Sequence, residues 1–209
     1  LLPFLKPISQ GDVVVFKFPG ERDEFPGVGD IDFVKRCAAV AGDTIEIREG
    51  DVYVNGRYAA FNVNRHRPEF ASGFPDPRLF PKGSSNNLDF YGPMIVPKSG
   101  DQIRLTASNY PLWSKLVQEE GRAITKTSDG LISIDGKEAT SYTIARNYVF
   151  VLGDNFYNSD DSRFWGFLPE DNVIGTASVI YWSNAEPANG ESTHLTSSIR
   201  WDRIGRIVH

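Results

Sequence analysis

The sequence predicts a mainly β protein, and three observations carry that expectation. Short Val/Ile/Phe/Tyr runs recur between Gly, Asp and Asn punctuation, the pattern of half-buried strands joined by turns. Two of the joints carry Asn-Gly or Asp-Gly between strand-like residues, Val54-Asn55-Gly56-Arg57 and Ile134-Asp135-Gly136-Lys137. Such pairs accept positive φ and so close tight hairpins. Finally, strands do not alternate with long helical patterns, which excludes a doubly wound α/β fold.

In chain order, strands are predicted at Val13–Phe18, Phe33–Val40, Thr44–Arg48, Asp51–Val54, Gln102–Thr106, Leu131–Ile134, Tyr148–Leu152 and Gly175–Trp182. One helix is expected: Ser108-Asn109 offers a cap, Pro111 suits a first turn, and Leu112, Trp113, Leu116 and Val117 form an apolar face before Gly121. Residues 65–87 are Pro- and Gly-rich and read as an irregular excursion. The expected organisation is a core from residues 1–49 and 146–209, with 50–145 as an inserted β-rich and loop-rich region.

The 209 residues carry a net charge of −5 and no basic stripe with interleaved aromatics, which argues against nucleic acid as a partner. Asn64-Arg65-His66-Arg67 is too short to change that. Cys37, the sole cysteine, has apolar neighbours and reads as a small core residue. No run reaches the roughly 18 to 20 apolar residues of a membrane span, and no signal peptide is recognisable. The apolar opening Leu1-Leu2-Pro3-Phe4-Leu5, without an initiator methionine, reads as the start of a piece cut from a longer chain. Membrane anchor and part of the chemistry are then expected upstream.

Lys35, in Asp32-Phe33-Val34-Lys35-Arg36, sits in apolar, strand-like company. Burial disfavours an ammonium and lowers its pKa, which turns an inert cation into a base. Two plainer readings stand beside that one. Lys35 could alternate outward on a half-buried strand, or pair with Asp30, Asp32 or Asp43.

The second dense segment runs from Gly153 to Gly166, GDNFYNSDDSRFWG. A calcium loop fails here, because position three from Asp154 is Phe156 and position six is Ser159. Asp160 and Asp161 as an acid/base dyad would point to opposite faces of a strand. A turn rich in side-chain-to-backbone hydrogen bonds fits the composition, with Asp161 and Arg163 pairing across one strand face to fix it.

Taken together, these segments resemble the boxes of the bacterial type I signal peptidases, membrane-bound serine endopeptidases with a Ser/Lys dyad. Gly11-Asp12-Val13-Val14-Val15-Phe16 is similar to the family's GD box, Asp32 to Asp43 to its lysine box, and Gly153 to Gly166 to its last box. Ile199 to Gly205 resembles the carboxyl terminus of Gram-negative members. The resemblance implies a signal-peptidase-like β-fold of coiled antiparallel sheets with few short helices. It also implies that Lys35 is the general base and that Ser159 orients its amine. Arg36, Asp154, Asp161 and Arg163 would support the site. Val15, Asp32, Phe33 and Val34 would bind substrate, added as a β-strand, in shallow pockets for the small residues of an A-x-A site.

The implied partners are exported preproteins and, through an upstream anchor, the bacterial inner (plasma) membrane, with the catalytic region on the periplasmic side. No cofactor or metal is implied. The family's nucleophile lies in a Ser-Met-x-Pro-Thr box before the GD box, and no Ser-Met pair occurs here. Ser9, between Ile8 and Gln10, does not match and is rejected, so the chain alone is expected to be inactive. Two rivals remain in view: a self-cleaving repressor domain, which lacks a long insertion, and a catalytically silent preprotein-binding module on the same scaffold.

Overall fold

A computed structural model describes residues 7–18, 32–61 and 73–177. Sequence features at Asn64–Arg67 and Ile199–Gly205 lie outside the described residues, as does the later part of the strand predicted up to Trp182.

Strand β1 (Val13–Lys17) pairs antiparallel with β2 (Asp32–Ala39), Val15 opposite Val34 and Lys17 opposite Asp32. β3 (Thr44–Arg48) and β4 (Asp51–Val54) form a hairpin whose two-residue turn holds Glu49 and Gly50 at positive φ. Asn55 and Gly56, both at positive φ, then fold β4 onto β5 (Arg57–Tyr58), as their sequence predicts. β6 (Tyr91–Ile95) completes a four-stranded sheet in the order β5-β4-β3-β6.

Beyond it come β7 (Gln102–Arg104), helix α1 (Tyr110–Glu119), β8 (Ile124–Lys126), β9 (Ile132–Ile134), β10 (Lys137–Glu138) and β11 (Ser141–Thr143). β11 pairs with β7, and β8, β9 and β10 make a small sheet around the Asp135-Gly136 turn. Asn109 occupies the N-cap position of α1 but turns its side chain backward: Oδ1 accepts from the Thr106 amide and Nδ2 donates to the Arg104 carbonyl. The helix start therefore rests on Pro111 and on packing, with Leu116 and Val117 buried and Trp113 stacked on Phe167.

β12 (Tyr148–Leu152), helix α2 (Ser162–Trp165), β13 (Leu168–Pro169) and β14 (Val173–Thr176) follow. They join β1 and β2 in an antiparallel five-stranded sheet ordered β13-β12-β2-β1-β14. Every residue of β12 is buried because it is covered on both faces. Tyr148, Phe150 and Leu152 join the core cluster shared with β3 and β4, while Val149 and Val151 pack with Val14, Phe16, Cys37 and Trp165. That explains its unbroken apolar run. Cys37 is a core residue as expected, its thiol pushed up to about 12 by burial.

The strand that carries Lys35 changes character along its length. From Arg36 to Ala39 β2 is fully buried, while Asp32 to Lys35 are exposed or half-buried. The cause is the neighbour: the β12 ladder reaches only Leu152 opposite Arg36, and the chain turns off at Gly153. Hydrogen bonds between Cys37 and the Gly11–Asp12 turn set which backbone groups face β1. By alternation, the N–H and C=O of Val34 point to the other side, beyond the end of β12.

Candidate active site

Lys35 stands where β12 leaves β2, and the loop 153–161 curls back over it. The Lys35 Nζ donates to Ser159 Oγ at 2.9 Å, joining residues 124 apart in sequence. Of the readings open for Lys35, outward alternation and pairing with Asp32 or Asp43 give way to this contact, while Asp30 lies outside the described residues. Burial lowers its amine below the ordinary 10.5, with Arg163 adding to the shift and Asp161, Asp160 and Asp154 opposing it.

Gly153 makes the contact possible. A Cβ there would lie 1.9 Å from Ser159 Oγ and 3.5 Å from Lys35 Nζ. Gly153→Ala therefore forces Ser159 off the lysine. Because an ångström of misplacement at a reacting centre costs up to about 10²-fold in rate, cleavage by this variant is expected to fall by about tenfold to a hundredfold. Circular dichroism should show the strands unchanged, and full activity would remove Gly153 from the site.

Beneath the loop, Asp161 caps α2, accepting from the Arg163 amide at Oδ1 and from the Gly153 amide at Oδ2. Arg163 bonds both carboxylate oxygens at 2.8 Å, donates to the Phe156 carbonyl, and lies 4.1 Å from the centre of the Phe156 ring. Asp161 and Arg163 are both fully buried. The expected pairing is present, yet it closes a helix cap and not a strand face. The same lock rules out an Asp160–Asp161 dyad, since Asp161 is committed to Arg163 and the Gly153 amide.

Arg36 clamps the flank. It meets Asp154 through two 2.8 Å bonds and donates to the Gly11 carbonyl, tying the turn before β1 to the start of the loop. The residues expected to hold substrate lie on the adjacent surface. Val34 is 55% exposed and faces half-buried Val15 across the ladder, Asp32 pairs with Lys17 at 3.3 Å, and Phe33 packs 5.3 Å from Phe18. Ser9 is exposed on the turn before β1, its hydroxyl on the Pro7 carbonyl.

Several contributors were not singled out from sequence. Ser162 Oγ accepts from the buried Val151 amide at 3.0 Å, Phe156 supports Arg163, and Tyr157 donates to Asp89 at 2.7 Å. A cavity of about 490 Å³, walled by Phe18, Tyr110, Phe164 and Trp165, opens beside Asp160. A hydroxyl and serines in a polar loop carry no distinguishing sequence signal; they are recognised only once the fold places them.

The geometry is that of a half-buried amine held against a hydroxyl, beside the exposed and half-buried strand segment Asp32–Val34. A family model described as signal peptidase, peptidase S26, matches residues 3–182. The chain is 28% identical over 191 residues to the signal peptidase I of Aquifex aeolicus, covering 86% of this chain and 65% of that protein. With the signal peptidase I of Haemophilus influenzae it shares 42% identity over 206 residues, covering 87% and 52%. It thus spans about half to two thirds of these relatives' lengths. A solved signal peptidase I from Enterococcus faecalis V583 is 19% identical, covers 83% of this chain and 98% of that one, and superposes with a TM-score of 0.43. By a family match that runs from before β1 to past β14, the chain belongs to the signal peptidase family, peptidase S26.

Proposed function

We propose that the protein is the catalytic region of a membrane-bound serine endopeptidase that removes amino-terminal signal peptides from exported preproteins after small residues. The observation that carries this reading is the Lys35–Ser159 contact, with the amine's pKa lowered by burial. A neutral amine accepts the proton of a serine hydroxyl as that oxygen attacks the scissile carbonyl, then returns it to the leaving amine. Ser159 and Gly153 fix the direction in which the amine points. Substrate adds as a strand along Asp32–Val34, its backbone meeting the N–H and C=O of Val34 beyond the end of β12. Val15 and Val34 then offer shallow apolar contact suited to small side chains.

In this reading the nucleophilic serine is not among residues 1–209, and the membrane anchor and periplasmic setting belong to the full-length protein. No helix among the described residues is long and apolar enough to cross a membrane.

The 2.9 Å bond also favours a second reading, in which Ser159 is itself the nucleophile. Ser159 Oγ, however, fills the space that a side chain at Gly153 would take, 1.9 Å from where that Cβ would sit, which suits a packed orienting hydroxyl. Steady-state cleavage of a preprotein by Ser159→Ala separates the two. An orienting role predicts a loss of about tenfold to a hundredfold. Complete loss with an intact fold would make Ser159 the nucleophile.

A further inference from the structure

We propose that Tyr157 is a positioning residue, latching the Ser159 loop to the β3–β4 hairpin and so holding Lys35 in its working environment. This rests on the proposed Ser/Lys chemistry and adds to it a control point in a different part of the fold.

Loops with few anchors wander, and a catalytic hydroxyl on one needs fixing from more than one side. The base of the 153–161 loop is closed by the Gly153 amide on Asp161. Its tip is a turn in which the Asn158 amide donates to the Asn155 carbonyl, leaving Phe156 and Tyr157 as the central residues. These two rings meet edge-on at 5.1 Å and then diverge in role. Phe156 is fully buried under Arg163, whereas Tyr157 reaches outward and donates its hydroxyl to Asp89 Oδ1 at 2.7 Å. Ser159 follows two residues later.

The acceptor is itself held in place. Asp89 is buried, its amide donates to Asn87 Oδ1, and its carbonyl accepts from the Gly50 amide at 3.0 Å. Gly50 turns the β3–β4 hairpin at φ +79, and a Cβ there would lie 2.6 Å from the Tyr157 hydroxyl. Position 50 therefore needs glycine for its backbone and for the space that the tyrosine occupies. A hydrogen bond from a half-buried tyrosine to a buried, pre-ordered carboxylate is the kind that fixes a loop instead of merely decorating it. Loosening it lets water reach Lys35, which weakens the burial that lowers the amine's pKa.

The test is a double-mutant cycle on the full-length protein, with two readouts: preprotein cleavage across pH, and titration of the Lys35 side chain by NMR without substrate. Tyr157→Phe is expected to lower kcat about tenfold with KM unchanged, the cost of a slightly misplaced catalytic group. It should also move the acid limb of the profile, and the Lys35 titration, to higher pH. Asp89→Asn keeps an acceptor oxygen and should behave as wild type, while Asp89→Ala should match Tyr157→Phe. The double variant should be no worse than either single one. Wild-type kcat and Lys35 titration in Tyr157→Phe, or losses that multiply in the double variant, would overturn the latch. If the wild-type protein cleaves no preprotein, the functional reading fails instead. The Lys35 titration still decides the latch then, an upward shift in Tyr157→Phe supporting it and no shift refuting it.

Discussion

Alanine at position 35 is expected to abolish preprotein cleavage, lowering the rate at least about 10⁴-fold, while leaving the fold standing. The two outcomes separate because of where Lys35 sits. It lies on the half-buried opening of β2, ahead of the fully buried Arg36–Ala39 stretch that the core depends on. Losing the side chain removes one hydrogen bond to Ser159 and relieves the cost of burying an amine, so stability should change by no more than about 1 kcal/mol. Lys35→Arg should be equally inactive, because a guanidinium does not release its proton in the working range. Cleavage assays with circular dichroism check both, and near-normal cleavage by either variant would end the proposal that Lys35 is the base.

The largest expected effect on stability comes from Asp161. Asp161→Ala leaves the Arg163 guanidinium fully buried without its carboxylate, and strips the Gly153 amide of its acceptor. Removing one partner of a buried pair costs about 3–5 kcal/mol. For a chain of this size that corresponds to a melting temperature lower by about 6–20 °C. Arg163 is already under strain for partners, since its Nη1 is buried with no hydrogen bond among the described residues. Replacing both residues by apolar ones of similar volume should therefore destabilise less than Asp161→Ala alone. Thermal unfolding followed by circular dichroism measures this directly; a double variant less stable than the single would contradict the argument. Cleavage should fall in both, since the cap of α2 sets the return path of the Ser159 loop.

Local signals made much of the fold legible. β3 and β4 begin and end where their alternation of apolar residues does, and Asn55-Gly56 and Asp135-Gly136 turn as such pairs must. Elsewhere tertiary context overrides local preference. β6, which contains Gly92 and Pro93, is not among the strands predicted from sequence, yet its pairing with β3 makes it a strand. α2 is a single turn, too short for any periodicity, and exists because Asp161 caps it and Arg163 locks the cap. Asn109 was a plausible cap for α1 from its position, and only the folded turn shows its amide spent on Arg104.

The site divides in the same way. Lys35 was conspicuous as a cation in apolar company, but its partner lies 124 residues away, and only the family resemblance pointed to Ser159. Asp161 and Arg163 were legible as a pair, though not as a helix cap. The roles of Gly153 as empty space and of Tyr157 as an anchor depend on atoms brought together by the sheet. No pattern along the chain encodes them.

In the proposed mechanism Lys35 acts as a neutral base, its amine lowered by burial. Titrating its side chain by NMR in the full-length protein, with the Lys35→Ala variant assigning the signal, tests that directly. A buried base should titrate with a midpoint below 10.5 that coincides with the acid limb of the cleavage profile. A lysine that stays protonated up to pH 10.5 while the enzyme cleaves at neutral pH would contradict that mechanism.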